Sequence, residues 1–264
     1  MADINVMKRY EYKYIVSLEQ INALKNGLVG HMEIDKFGIT SIESLYYDTI
    51  DYRLIRKSIE KPNYKEKIRL RSYGIANKDS KVFLELKRKY DGIVYKRRMS
   101  LDENKVEKFF KYENDLDSSQ IAKEITYFRD YYKSLIPSCL IIYDRAAYFE
   151  VDGDLRLTID YNPRYRVKDL NLHTSLEGIP LLDKGYAILE IKVQDSMPLW
   201  LSHLLDDNKI FKASFSKYGT AYKMIQEKSL DNLGRSQLMY SLNLLSLNKN
   251  KDSNYLNNLG GLYD

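Results

Sequence analysis

The sequence predicts an α+β protein: an antiparallel sheet with helices packed on its apolar face. Three observations carry this. Short segments rich in Tyr, Ile, Leu and Val alternate apolar with charged residues, as in Tyr64–Tyr73 and Lys81–Lys89. Asp91-Gly92 and Asp152-Gly153 stand between pairs of such segments, where hairpin turns need positive φ. Segments of helical period with capping residues lie between the strands, beginning with Ser17 and Gln20 three positions on.

In chain order, the first strand is Lys8–Val16 (KRYEYKYIV), and the Ser17-capped helix INALKNGL follows. Ile39–Asp48 reads as a strand and Thr49–Ile59 as a helical connection, which Pro62-Asn63 ends. Three strands come in succession at Tyr64–Tyr73, Lys81–Lys89 and Ile93–Leu101. Asp102–Tyr112 and Ser118–Leu135 read as helices, the second capped by Ser118 or Ser119. Leu140–Val151 and Asp154–Asp160 form a hairpin, with a short strand at Tyr165–Lys168 and a long one at Gly185–Gln194. Helices at Leu199–Asp206 and Lys217–Glu227 complete one domain over residues 1–228. From Ser229 the composition shifts to ten Leu and seven Asn in 36 residues, so 229–264 reads as a C-terminal tail, weakly structured or helical.

With 264 residues and 44% hydrophobic content the chain can bury a sizeable core, and 30% charged residues make it polar overall. Its apolar runs are too short to span a bilayer, and MADINVMKRYEYKY has no signal-peptide core, so a cytoplasmic protein without a membrane segment is expected. The single Cys139 excludes an internal disulfide and a cysteine metal cluster. His31, His173 and His203 lie far apart and are not at ligand spacing, so a multi-histidine metal site is not expected. No G-x-x-x-x-G-K-[ST] loop occurs, so any phosphate must be held by side chains. Most of the 24 Tyr fall on strands opposite the charges; they read as outer core rather than as a stacking platform, and no nucleic-acid partner is expected.

The net charge of +5 is unevenly spread. Between Glu60 and Ser100 there are thirteen Lys or Arg against five acids, a concentration that suits a polyanionic partner. Strand alternation sorts these charges onto one face. Lys65, Lys67, Arg69 and Arg71 share a face, as do Glu85 and Lys87, Lys96 and Arg98, Arg156 and Asp160, Glu190 and Lys192, and Arg9, Glu11 and Lys13. Like charges on neighbouring strands repel, so a merely solvated face would not favour such rows. A bound phosphate chain would offset the repulsion. If the sheet closes, the charged face becomes a lumen that takes a linear polyanion along its axis.

Nine segments, in this order, resemble the polyphosphate-polymerase domain of the vacuolar transporter chaperone family, one of the triphosphate tunnel metalloenzymes. They are RYEYKYIV, LYYDT, KIRLRSYG, FLELKRK, YKRRMSL, YDRAAYF, LRLTID, ILEIKV and SFSKYGTAY, and the likeness extends over about Lys8–Tyr222. The resemblance implies an eight-stranded antiparallel β tunnel with helices outside. It implies a soluble enzyme that transfers the γ-phosphate of ATP to a growing inorganic polyphosphate chain, with Mn²⁺ or Mg²⁺. Lys13, Arg69, Arg71, Lys87, Arg145, Arg156 and Lys217 resemble the phosphate ligands at the catalytic centre. Arg9, Lys67, Lys96, Arg98 and Lys192 extend substrate binding along the charged rows. Glu190 resembles the metal-binding carboxylate, with Glu11 as a second candidate. With no membrane segment of its own, such a domain is compatible with a membrane-protein partner that receives the product.

Two positions depart from the wider superfamily. Its opening Glu-x-Glu-x-Lys strand is here Arg9-Tyr10-Glu11-Tyr12-Lys13, which argues against a simple tripolyphosphatase or a cyclase-like member. Ser214 stands where a further base is expected. Two other functions use the same charged face. Water in place of the phosphate acceptor would give a tripolyphosphatase or nucleoside triphosphatase, and loss of metal chemistry would give a non-catalytic polyphosphate-binding module.

Overall fold

The computed structural model describes residues 10–91 and 93–229. The strands are β1 (Tyr10–Ser17), β2 (Glu33–Asp48), β3 (Tyr64–Tyr73), β4 (Lys81–Tyr90), β5 (Ile93–Asp102), β6 (Ile136–Phe149), β7 (Arg156–Arg166), β8 (Ile179–Pro180) and β9 (Tyr186–Val193). The helices are α1 (Leu18–Leu28), α2 (Arg53–Ile59), α3 (Glu103–Phe110), α4 (Gln120–Tyr132) and α5 (Leu199–Asp207). The chain divides into two units, 1–221 and 222–264. The first ends in helical residues 217–221. Of the second, 222–229 are described and are helical, with the Ser229 hydroxyl donating to the Ile225 carbonyl at 3.0 Å. The rest of the expected tail, and Arg9, lie outside the described residues.

Eight strands pair in the order β1-β9-β7-β6-β2-β3-β4-β5, all antiparallel, and the short β8 joins β7. This is the eight-stranded antiparallel sheet that the resemblance implies, left open at one seam: among the described residues no ladder joins β1 to β5. Side chains span the gap instead, with Lys87 Nζ of β4 3.8 Å from Glu11 Oε2 of β1. The free edge of β1 takes a single bridge, Tyr14 with Lys212, and the Ala213 N–H donates to the Lys13 carbonyl at 2.7 Å.

Alternation places the apolar residues outside, in two clusters. Leu45, Ile68, Leu70, Val82, Leu84 and Leu86 of β2–β4 pack on Val106 and Phe109 of α3 and on Ile125 and Phe128 of α4. Val16, Leu157, Ile159, Leu189 and Ile191 of β1, β7 and β9 pack on Ile21, Leu24 and Leu28 of α1 and on Leu201 and Leu205 of α5. Each such side chain stabilises the fold by about 1.5–3 kcal/mol when fully buried. The helices therefore hold the sheet from outside and leave the opposite face to the charges. Ser17 and Gln20 form the expected capping box on α1, and Ser119 caps α4 through the Ala122 N–H.

Some boundaries differ from the sequence reading. β2 begins at Glu33, not Ile39, because its register with β6 shifts between Ile34 and Ile39, where Gly38 takes φ +59°. That irregularity breaks the alternation without ending the strand. β7 continues to Arg166 and takes in the first two residues of the segment read as a separate strand, Val167 and Lys168 lying beyond it; a register shift between Ile142 and Asp144, with Asn162 at φ 46°, hides the continuity. β6 begins at Ile136, with Pro137 already opposite Tyr47. At the β4–β5 hairpin, Tyr90 pairs with Ile93 and Asp91 takes φ 44°, as a two-residue turn needs.

Candidate functional site

Strand register brings the charges into three groups. On β3, β4 and β5, Arg69, Glu85 and Arg98 stand opposite one another in turn. The Glu85 carboxylate, 2% exposed, gathers four cations. Its Oε2 accepts from Arg69 (Nη2 2.7 Å, Nε 2.8 Å) and lies 3.9 Å from Arg71 Nε, while Oε1 meets Lys96 Nζ at 2.8 Å and Arg98 Nε at 3.1 Å. Burial alone would raise the Glu85 pKa, but Arg69, Arg71 and Lys96 hold it well below the usual carboxylate range. One step along the strands, Lys67, Lys87 and Lys96 stand opposite one another, a like-charge row.

The second group joins β1 and β9, where Lys13 pairs with Glu190 and Glu11 with Lys192. Lys13 Nζ lies 3.0 Å from Glu11 Oε1 and 3.9 Å from Glu190 Oε2, and Lys192 binds Glu190 Oε1. Burial opposes the charge on Glu190, yet Lys192, Lys13 and Arg145 keep it ionised well below its ordinary pKa. Glu11 is also lowered: burial and Glu190 push it up, and Lys87, Lys13 and Lys192 outweigh them.

The third group centres on Asp160 of β7, which is fully buried. Arg145 of β6 forks onto it, Nε to Oδ1 at 2.6 Å and Nη2 to Oδ2 at 2.8 Å, and Lys217 binds the same carboxylate. Lys217 also lies 4.6 Å from the Tyr143 ring centroid, so the Lys217–Ala221 turn delivers a cation to the tunnel wall.

Of the expected site residues, Lys13, Lys67, Arg69, Arg71, Lys87, Lys96, Arg98, Arg145, Lys192, Lys217, Glu11 and Glu190 line these groups. Arg156 stands apart. It pairs with Lys192 across β7–β9, but its Nη1 donates to the carbonyls of Glu150, Gly153 and Leu155 at 3.0–3.3 Å, holding it to the 150–155 turn. Glu85 and Asp160, which the sequence marks only as members of the charged rows, are the centres of two of the groups. Both sit on the charged face by simple alternation, and burial, which the sequence does not give, is what makes them central. The reading of tyrosines as outer core needs correction at Tyr46 and Tyr143. The Tyr46 hydroxyl accepts from Arg69 Nη1 at 3.0 Å and the Tyr143 hydroxyl from Arg71 Nη2 at 3.1 Å.

Among the described residues no three His, Cys, Asp or Glu side chains cluster as a metal cage. Glu11 and Glu190 are both ionised and flank Lys13, and as carboxylates they are the kind of hard oxygen donors that a divalent cation takes together with phosphate oxygens and water.

A family model for the VTC domain matches residues 8–226. The chain belongs to the VTC domain family. Among solved structures, the VTC domain resembles a candidate adenylate cyclase from Bacillus halodurans at 14% identity, covering 80% of this chain and 96% of that one, with TM-score 0.51. A candidate adenylate cyclase from Vibrio parahaemolyticus aligns at 12% identity over 81% and 97%, with TM-score 0.45. A candidate adenylyl cyclase from Hippeastrum, described as having a dominant triphosphatase activity, aligns at 16% identity over 79% and 92%, with TM-score 0.47. No curated protein matches this VTC domain in sequence. At 14% identity the Bacillus halodurans structure establishes the fold alone, the triphosphate tunnel.

Proposed function

We propose that this VTC domain is a metal-dependent ATP:polyphosphate phosphotransferase that extends inorganic polyphosphate from ATP, working in the cytoplasm. The observation that carries the reading is the Glu85 group with its neighbouring Lys67–Lys87–Lys96 row. Six cations from three adjacent strands face the tunnel with one buried carboxylate among them. Such an excess suits a ligand with one negative charge per short repeat, which inorganic polyphosphate is.

In the proposed reaction a terminal phosphate oxygen of the acceptor chain attacks the γ-phosphorus of ATP. The new P–O–P linkage forms as the bond between the γ-phosphorus and the β–γ bridging oxygen breaks, and ADP leaves with the electron pair. The acceptor supplies the nucleophile, so no side chain has to. What remains for the chain is positioning and neutralisation of charge. Arg69, Arg71, Lys87 and Lys96 would bind equatorial phosphate oxygens, and Glu85 keeps their donors pre-oriented. Arg145 and Lys217, fixed by Asp160, would hold the opposite side of the phosphate chain. Glu190 and Glu11 would hold Mn²⁺ or Mg²⁺, which supplies charge neutralisation at the leaving diphosphate.

No helix among the described residues is long and apolar enough to cross a membrane. The proposed substrates are ATP and polyphosphate, with no nucleic acid, and the reading is compatible with a membrane-protein partner that receives the product. The test is to incubate purified protein with ATP and Mn²⁺ and to measure polyphosphate and free phosphate together. Polyphosphate formation is expected. Free phosphate as the sole product would replace the transferase reading with hydrolysis.

A further inference from the structure

The LYYDT segment places two adjacent tyrosines on opposite faces of β2. Tyr47 turns outward and stacks on Phe110 with ring centroids 3.9 Å apart. Tyr46 turns to the charged face. Its ring is 4% exposed and stacks on Tyr218 at 4.4 Å and 17°. Tyr218 is fixed in turn, its hydroxyl lying 3.0 Å from Asp48 Oδ2 and 2.8 Å from Ser138 Oγ.

The Tyr46 oxygen completes the coordination of Arg69. That guanidinium gives Nε and Nη2 to Glu85 and Nη1 to the Tyr46 oxygen. The face of Arg69 directed at Tyr46 is thus the one Glu85 does not use, and it is free for an ionised phosphate oxygen to take in place of the Tyr46 oxygen. The surroundings of Tyr46 are strongly cationic. Arg69 and Lys67 of β3 lie 5.8 and 5.7 Å from its ring centroid, with Arg71 on the same strand and Lys13 reaching from β1. Cys139 stands opposite on β6, neutral because burial pushes its thiol up to about 12. Tyr218 faces the ring from the helical turn after Ser216. Two carboxylates lie nearby, Glu85 on the far side of Arg69 and Asp48 behind Tyr218.

We infer that Tyr46 is the tunnel's exchangeable anion: its phenolate oxygen holds Arg69 in the empty protein, and a phosphate oxygen of the bound chain displaces it. The displaced phenolate takes one proton from solvent, so one O–H bond forms and polyanion binding carries proton uptake. This rests on the polyanion reading of the tunnel and adds to it a residue that the charge pattern does not reveal. Burial alone would raise the Tyr46 pKa, but Arg69 and Lys67, with the Arg69 hydrogen bond and Arg71, bring it down to about 7. A polyanion on those cations removes the cause, and the phenol regains its proton.

The test follows the near-ultraviolet phenolate band of the ligand-free protein through a pH titration. One tyrosine is expected to ionise around pH 7, well before ordinary tyrosines at about 10. Tyr46→Phe, which keeps the ring stack, should lose that step; an unchanged step in this variant overturns the assignment. If Tyr46→Phe fails to fold, Arg69→Gln serves in its place and should move the step upward by at least roughly one pH unit. Tripolyphosphate is then added at pH 7.5, with calorimetry in two buffers of different ionisation enthalpy. Bleaching of the band with net proton uptake supports the exchange. Binding without uptake overturns the exchange and leaves the polyanion reading standing, whereas absence of tripolyphosphate binding overturns both.

Discussion

The two halves of the tunnel wall handle charge differently. On β3–β5 a single carboxylate, Glu85, is shared by Arg69, Arg71, Lys96 and Arg98, with Lys67 and Lys87 alongside. On β1, β9, β7 and β6 three carboxylates, Glu11, Glu190 and Asp160, meet Lys13, Lys192, Arg145 and Lys217 almost one for one. The first half is short of negative charge and the second is nearly balanced. In the proposed reaction the β3–β5 wall grips the phosphate chain, and the β1–β9 wall carries the carboxylates that suit a cation. A uniformly basic tunnel would bind a polyanion but would lack carboxylates for the metal.

The largest expected effect comes from breaking the cationic half. Arg69→Ala and Arg71→Ala should each lower polyphosphate synthesis by about 10²–10³-fold, as when one fixed transition-state donor is lost. Three cations remain on Glu85 in either variant, so the melting temperature should change by only a few degrees. Full activity in either variant would remove β3 from the site.

Glu85→Gln tests the opposite member of that group. It leaves four cations facing one another without their counter-ion, and breaking one side of a buried pair costs about 3–5 kcal/mol. The variant should melt lower, and tripolyphosphate should recover more of its stability than it adds to the wild type. The Glu85 pKa is depressed in the fold from an ordinary 4.5. Its stabilisation is therefore present above that value and is lost as pH falls through the folded pKa, so the wild type should have a steeper acid limb than the Gln variant. Equal melting behaviour at every pH would show that Glu85 does not organise the group.

Sequence alternation made much of this contrast legible. The row Lys67, Arg69, Arg71 and the pairs Glu85–Lys87 and Lys96–Arg98 follow directly from period two, and the structure keeps all of them on one face. The Arg145–Asp160 fork was not legible, because it depends on register across a β-bulge between β6 and β7. Nor was the facing of Tyr46 and Tyr47, since two adjacent tyrosines look alike until the pairing of Tyr46 with Arg69 fixes which one turns inward. The order β1-β9-β7-β6-β2 joins segments far apart in the chain, and no local pattern specifies it.

A smaller effect on binding, though not on turnover, is expected in the balanced half. Glu190→Gln should keep tripolyphosphate affinity but need at least about tenfold more Mn²⁺ for synthesis. Unchanged metal dependence with a lower melting temperature would make Glu190 a structural partner of Lys192 and Lys13.

The smallest effect on activity lies on the outer face. Glu43 is fully buried, with one hydrogen bond from Ser72 at 3.3 Å and no partner for Oε1. Burial pushes its pKa up to about 7 from 4.5, and Ser72, Arg166 and Arg164 only partly oppose this. The folded state then binds the proton more tightly than the unfolded chain, so stability falls as pH rises from 4.5 to about 7 and stays low above. Glu43→Gln should flatten that slope and melt a few degrees higher at pH 8, with synthesis unchanged. A lower melting temperature at pH 8 would show that the ionised carboxylate stabilises the fold.

The most direct measurement is a titration of the protein with tripolyphosphate over a range of salt, run in parallel with duplex DNA. A tunnel whose β3–β5 wall carries the excess positive charge should bind tripolyphosphate with affinity that falls steeply as salt rises, and the melting temperature should rise on binding. Duplex DNA should compete poorly, because a tunnel that takes a single phosphate chain, as proposed, would not admit a helix whose major groove alone is about 12 Å wide. Duplex DNA binding as tightly as tripolyphosphate, or tripolyphosphate leaving the melting temperature unmoved, would contradict a polyphosphate tunnel.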